Sequence, residues 1–104
     1  RLYRYLDDEG VPASHVWTDI PHLHQRDPER TGYPTQKPLR LLERIVRCAS
    51  REGDVVLDAF AGSGTALEAA FRLGRTFIGM DCAPESLATV QRRLPDASLR
   101  VIRL

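Results

Sequence analysis

From Pro38 onward the apolar positions fall into two periods. In PLRLLERIVRCAS, Leu41, Leu42, Ile45, Val46 and Ala49 recur on one side at helical spacing. Arg40, Glu43, Arg44, Arg47 and Arg51 fall largely on the other. Pro38 suits the first helical turn, where its missing N–H costs nothing, and EGD at 52–54 reads as a turn. VVLD at 55–58 is a short β-branched run bounded by turn residues, the pattern of a buried parallel strand. Gly62-Ser63-Gly64 forms a tight loop. The following helix, Thr65 to Leu73, turns Ala66, Ala69, Ala70 and Leu73 inward and stops at Gly74. TFIGMD at 76–81 predicts a second strand. Pro84 opens a third helix carrying Leu87, Val90 and Leu94, and LRVIRL at 99–104 predicts a third strand. The order α-β-α-β-α-β belongs to a parallel sheet with covering helices.

The preceding residues have no such period. Prolines at 12, 21, 28 and 34, with Gly10 and Gly32, interrupt them every few positions. LYRYL at 2–6 has the make-up of a short strand, but nothing periodic follows it. The sequence therefore divides into an irregular arm, residues 1–37, the end of a preceding region, and an α/β unit, residues 38–104. A structureless stretch of that length beside a compact unit is unusual and often functional.

Composition narrows the picture by exclusion. A chain of 104 residues is one domain at most. Lys+Arg number 15 against Asp+Glu 14, so no global field draws the chain to nucleic acid, and any DNA contact must be local. Cys48 and Cys82 form no CxxC pair, which suggests neither a zinc site nor a disulfide framework and makes a reducing cytoplasm the default. No apolar run approaches the roughly 20 residues of a membrane helix, and RLYRYLDDEG has no signal-peptide core. The first residue is not Met, so the chain is expected to be cut from something longer.

The chemistry centres on VVLDAFAGSGTALEAA at 55–70 and FIGMDCAP at 77–84. A strand–loop–helix passage presents backbone N–H groups at the carboxyl edge of a parallel sheet, where doubly wound folds bind ligands. Gly62 and Gly64 let the backbone approach a ligand closely. Asp81 ends the second strand, where an acid can accept two hydrogen bonds from ribose hydroxyls. Phosphate loops fit poorly, because the Gly-Lys-Ser/Thr of a Walker loop is missing and GSGTAL stops short of GxGxxG. Asp58 would be a poor neighbour for a pyrophosphate and a good one for a cationic amino group. A ligand that wants one carboxylate beside the loop and another on a ribose is an amino-acid nucleoside, S-adenosylmethionine.

TGYPTQKPLRLLERIV, then DAFAGSGTALEAA, then FIGMD resembles the amino-methyltransferases of DNA restriction–modification systems. The order is that of the permuted class whose cofactor motifs lie C-terminal to the catalytic motif. VWTDIP at 16–21 is also similar to the segment before YPTQKP in that family, and the resemblance covers roughly residues 15–94. It implies a partial Rossmann-like S-adenosylmethionine-dependent methyltransferase fold, with three parallel strands and covering helices behind the arm. By resemblance, Asp58, Phe60, Gly62, Ser63, Gly64 and Thr65 form the cofactor loop. Asp81 is the ribose acid, and Met80 and Cys82 flank the adenine. Thr35, Gln36, Lys37 and Pro38 lie against the methionine end, where Lys37 could pair with the cofactor carboxylate. Ala59 stands where the family usually has proline, which loosens the turn by a few tenths of a kcal/mol without removing a ligand.

The family's catalytic signature, (D/N/S)PP(Y/F/W), is not found in the chain; Asp27-Pro28 is followed by Glu29 and Arg30. The resemblance implies that it precedes Arg1, and that the VVL strand is left as an unpaired edge. The chain then reads as the cofactor half of an enzyme that methylates the exocyclic amine of adenine, less readily cytosine, in double-stranded DNA. This segment alone is expected to be inactive, with its catalytic half in the same or another chain. The alternative is a non-catalytic cofactor-binding or assembly subunit of a split methyltransferase. A small-molecule or RNA methyltransferase on the same fold is a third reading.

Plainer roles stand beside these. The GSG loop could be a tight turn in an empty domain, and Asp81 could hold the start of the helix at Pro84, a role compatible with ribose binding. Phe60 could pack in the core, as Cys48 is expected to. His15, His22 and His24 read as loop residues rather than metal ligands. The arginine face of the first helix reads as solvated rather than as a phosphate contact. Trp17 and Tyr33 either touch DNA or fasten the arm to the sheet.

Overall fold

The computed structural model describes residues 15–102, so LYRYL at 2–6 lies outside the described residues. Residues 15–38 form turns and bends without a helix or strand. The elements that follow are α1 (Leu39–Ala49), β1 (Val55–Asp58), α2 (Thr65–Arg72), β2 (Thr76–Gly79) and α3 (Pro84–Arg93). β1 and β2 pair in parallel, with Val55 opposite Thr76 and Asp58 opposite Gly79.

The third strand does not form among the described residues, since 99–102 have no strand and 103–104 lie beyond them. After α3 the chain turns back, Ala97 N–H donating to Leu94 O at 3.2 Å. Leu99 then packs on the cluster of Ala61, Leu67, Val90 and Leu94. Apolar packing therefore claims this segment without bringing its backbone into the ladder.

The sheet has one covered face and one bare one. Val56 and Phe77 point inward and are half-buried, and Phe77 packs on the cluster of Leu67 and Val90. On the other face Val55 is 61% exposed, Leu57 59% and Ile78 50%. The expected buried strand is thus buried on one side only, because the three helices cannot cover both. Gly79 marks the covered face: a β-carbon there would lie 2.5 Å from Leu67 Cδ1.

α2 is buried around more of its surface than its alanines predict. Ala69 and Ala70 are buried, but so are Leu67 and Glu68, while Ala66 and Leu73 are half-buried. α1 buries Val46 and leaves Ile45 41% exposed. Its end is fastened by Arg75, whose Nε donates to Ser50 Oγ at 3.0 Å and whose Nη2 donates to Ser50 O at 2.8 Å. No described helix is long and apolar enough to cross a membrane.

Candidate functional site

The loop between β1 and α2 is shaped by two glycines and closed by short bonds. Gly62 has φ +51° and Gly64 +75°, left-handed values that favour glycine. Gly64 N–H donates to Ala61 O at 2.7 Å, and Ala61 N–H to Met80 O at 2.8 Å. Gly64 also permits close helix packing, since a β-carbon there would lie 2.7 Å from Val90 Cγ2. Ser63 and Thr65 are buried and their hydroxyls pair at 2.9 Å, so both side chains serve the interior of the turn.

Asp81 draws the two strand ends together. Its Oδ2 accepts Gly62 N–H at 2.7 Å and its Oδ1 accepts Ala83 N–H at 2.8 Å. The hydrogen bonds from Ala83 and then Gly62 hold the carboxyl below the usual carboxylate range. The bond to Ala83 forms the turn into α3, so the helix-entry role exists beside the loop contact. Each carboxylate oxygen retains acceptor capacity for a further donor. Ser86 Oγ donates to Gly62 O at 2.7 Å and fixes the loop from the α3 side.

Phe60, Met80 and Cys82 surround this clasp. With Ala59 and Asp81 they line an open cavity of about 270 Å³. Phe60 is 90% exposed and Met80 54%, which excludes core packing as the role of Phe60 here. Asp58 accepts Phe60 N–H at 3.0 Å through Oδ1 and is half-buried at the end of β1. An exposed aromatic ring, a thioether and an acid with spare acceptor capacity suit a planar heterocycle joined to a diol.

The arm contributes differently from its sequence reading. Gln36 is engaged within the arm: its Oε1 accepts Thr31 N–H at 2.7 Å and the Thr31 hydroxyl at 2.8 Å, while its Nε2 donates to Glu29 O at 2.7 Å. Thr35 and Lys37 are exposed, and Lys37 Nζ donates to Thr35 O at 3.1 Å. Lys37 lines a second cavity, with His15, Trp17, Pro21 and His22, separate from the one beside Asp81. Two assigned groups of residues therefore sit at different openings.

Tyr33 reaches the loop instead. A β-carbon on Gly62 would lie 3.3 Å from Tyr33 Cε1. Desolvation, followed by the charges of Asp81, Glu85 and Cys82, raises the Tyr33 phenol above its ordinary value. Trp17 is held further out, with Arg44 Cζ 5.3 Å from its ring centroid. Arg44 also grips Asp19 in bidentate fashion, at 2.8 and 2.6 Å, and holds that carboxyl down to about 2. One member of the arginine face is thus committed to the arm. His22 and His24 stack their rings at 4.5 Å, and no three His, Cys, Asp or Glu side chains converge as a metal site among the described residues.

Sequence reasoning missed Tyr33 as a loop neighbour, and it missed Ser86. A signal for Ser86 existed: Ser86, Thr89, Val90 and Arg93 follow i, i+3, i+4, i+7 spacing, which sets two hydroxyls on the buried stripe of α3.

A family model described as DNA methylase matches residues 1–92. The type II methyltransferase M2.DpnII of Streptococcus pneumoniae is 45% identical over 94 residues, covering 89% of this chain and 34% of that protein. The DNA adenine methyltransferase YhdJ of Escherichia coli (strain K12) is 44% identical over 90 residues, covering 86% and 30%. Among solved structures, the M1.HpyAVI–SAM complex is similar, with TM-score 0.62 and 43% identity over 64% of this chain and 33% of that one. A DNA modification methylase of Thermus thermophilus, TTHA0409, complexed with S-adenosyl-L-methionine and assigned that activity only by its title, gives TM-score 0.58 and 45% identity over 64% and 30%. The chain spans about a third of the length of these curated relatives.

Proposed function

Because this chain belongs to the DNA methylase family, we propose that it is the S-adenosyl-L-methionine-binding part of an enzyme that methylates the exocyclic amine of adenine in double-stranded DNA. The observation that carries the reading is the clasp of Gly62 by Asp81 beside an open, partly aromatic cavity. Two structures similar to this chain are complexes with that cofactor, and adenine is favoured over cytosine by the name of the 44% identical YhdJ.

The residues suit the cofactor. Asp81 offers one further acceptor on each oxygen to the two ribose hydroxyls. Phe60, Met80 and Cys82 offer apolar surface for the adenine, and Gly62 offers backbone free of a β-carbon. Asp58 supplies a carboxylate at the cofactor's cationic amino-acid end. Ser63, Gly64 and Thr65 shape the loop rather than touch ligand with their side chains. Thr35, Gln36 and Lys37 belong to the arm that borders the site, with Gln36 holding its shape. When bound, the cofactor supplies an electrophilic methyl group on a sulfonium; the residues here orient it, and orientation is the main requirement of a direct transfer.

Base handling falls to the (D/N/S)PP(Y/F/W) motif, which is not among these 104 residues. The enzyme's work then needs the remainder of a protein about three times as long, acting in the cytoplasm on DNA. The bare apolar face of Val55, Leu57 and Ile78 supports a division in which residues 38–104 are the cofactor half and a further layer covers the sheet. This segment alone transfers no methyl group to DNA. The same bare face favours a second reading, a cofactor-binding assembly subunit whose partner chain carries the motif.

Calorimetric titration of S-adenosyl-L-methionine into the chain and into Asp81→Ala tests the site. The expected result is binding that weakens at least about tenfold in the variant, as for loss of charge-assisted hydrogen bonds. Equal heats from both would remove Asp81 from the ribose role.

A further inference from the structure

Behind the cofactor loop, four segments meet around one guanidinium. Arg93 ends α3 with a side chain only 5% exposed, and its Nε donates to the Glu68 carboxylate of α2, itself 8% exposed. Its Nη1 lies 3.5 Å from Ser63 O in the loop, and its Nη2 lies 3.5 Å from Glu29 Oε1 in the arm. The same Glu29 oxygen accepts Leu39 N–H at 2.6 Å and so satisfies the first free donor of α1. Gln36 closes the arm onto Glu29 through the backbone carbonyl.

Charge assigns the parts. Glu68 is buried and doubly partnered, by Arg93 and by Arg72 at 2.7 Å, so its carboxylate remains satisfied without Glu29. Glu29 is 30% exposed and meets Arg93 at longer range. The Glu68–Arg93 pair is thus a fixed post between α2 and α3, and Glu29 is the arm's attachment to it. The closed arm carries Tyr33 to within van der Waals reach of the site of a Gly62 β-carbon.

We infer that Glu29 and Arg93 are positioning residues for the cofactor: their contact holds the arm against the loop and keeps Tyr33 over Gly62, though neither residue touches the ligand. The inference rests on the cofactor reading of the loop. A purely structural ion pair would alter stability and leave cofactor affinity unchanged.

Glu29→Gln separates the two roles in the full chain. Its amide oxygen can still accept Leu39 N–H, so the start of α1 is kept while the charge facing Arg93 is lost. Binding of S-adenosylhomocysteine is expected to weaken about fivefold, the scale of one partly exposed charged contact. Amide exchange at Thr31, Tyr33 and Gln36 is expected to quicken while that of Leu67 and Val90 stays constant. Arg93→Lys, which keeps a cation at Glu68 but loses the fork to Glu29 and Ser63, should give the same pattern. Unchanged affinity in both variants, with or without faster arm exchange, overturns the positioning role. Failure of the unsubstituted chain to bind would instead defeat the cofactor reading, and the positioning role with it.

Discussion

The loop at 58–65 and the arm at 15–37 border the same region but are held by different means. The loop is fixed by backbone bonds, two left-handed glycines and buried hydroxyls, all within a few residues of the two strand ends. The arm has no helix or strand and is fixed by side chains: Gln36 within it, Glu29 to Arg93 on its inner side, Asp19 to Arg44 on its outer side. A backbone-held turn is rigid and insensitive to salt. A side-chain-held arm can be loosened one contact at a time, and its two anchors differ in exposure.

The largest effect is expected at the post to which the inner anchor attaches. Glu68→Ala leaves Arg93 buried with one distant carboxylate, and loss of a buried partner costs about 3–5 kcal/mol. Chemical denaturation reads this directly, and a loss under about 1 kcal/mol would show that the pair is not a fixed post. Next comes the loop. Gly64→Ala forces a β-carbon into Val90 at a positive φ, and overpacking plus backbone strain should cost about 2–4 kcal/mol. If the variant matches the unsubstituted protein in thermal melting, the loop is not packed against α3 as described.

Gln36→Ala should cost about 1 kcal/mol and, more tellingly, should speed amide exchange in the arm without touching α2. Global destabilisation of equal size in α2 would erase the distinction between arm and loop. The smallest effect belongs to the outer anchor. Asp19 is held down to about 2, from 3.8, by Arg44, so this contact contributes fully above pH 3.8 and is lost as pH falls through 2. Trp17 fluorescence, followed in acid and in high salt, should report release of the outer arm before the helices unfold; in Asp19→Asn that early change should vanish. A Trp17 signal that moves only with global unfolding would contradict independent release.

The same contrast explains what the sequence could and could not reveal. Gly62, Gly64 and Asp81 were legible because a strand–loop–helix turn constrains local residue types, and their geometry follows from neighbours close in the chain. The helices and first two strands were legible from period alone. Glu68 hid on α2 because a charged residue ordinarily reads as solvent-facing, whereas its partner Arg93 is 25 positions away. The Gln36–Glu29–Arg93 chain was illegible for the same reason: long-range side-chain pairing leaves no periodic trace. The bare sheet face was invisible because strand composition reports that a layer covers a strand without saying which chain segment supplies it.

The central claim, that Asp81 and the Gly62 loop grip the cofactor, is tested most directly by titrating S-adenosyl-L-methionine into isotopically labelled chain and following backbone amides. Phe60, Gly62, Asp81 and Cys82 should shift together and saturate at one concentration, with Tyr33 following. Shifts confined to the cavity of Trp17 and Lys37, or no saturable shift at the loop, would contradict the account.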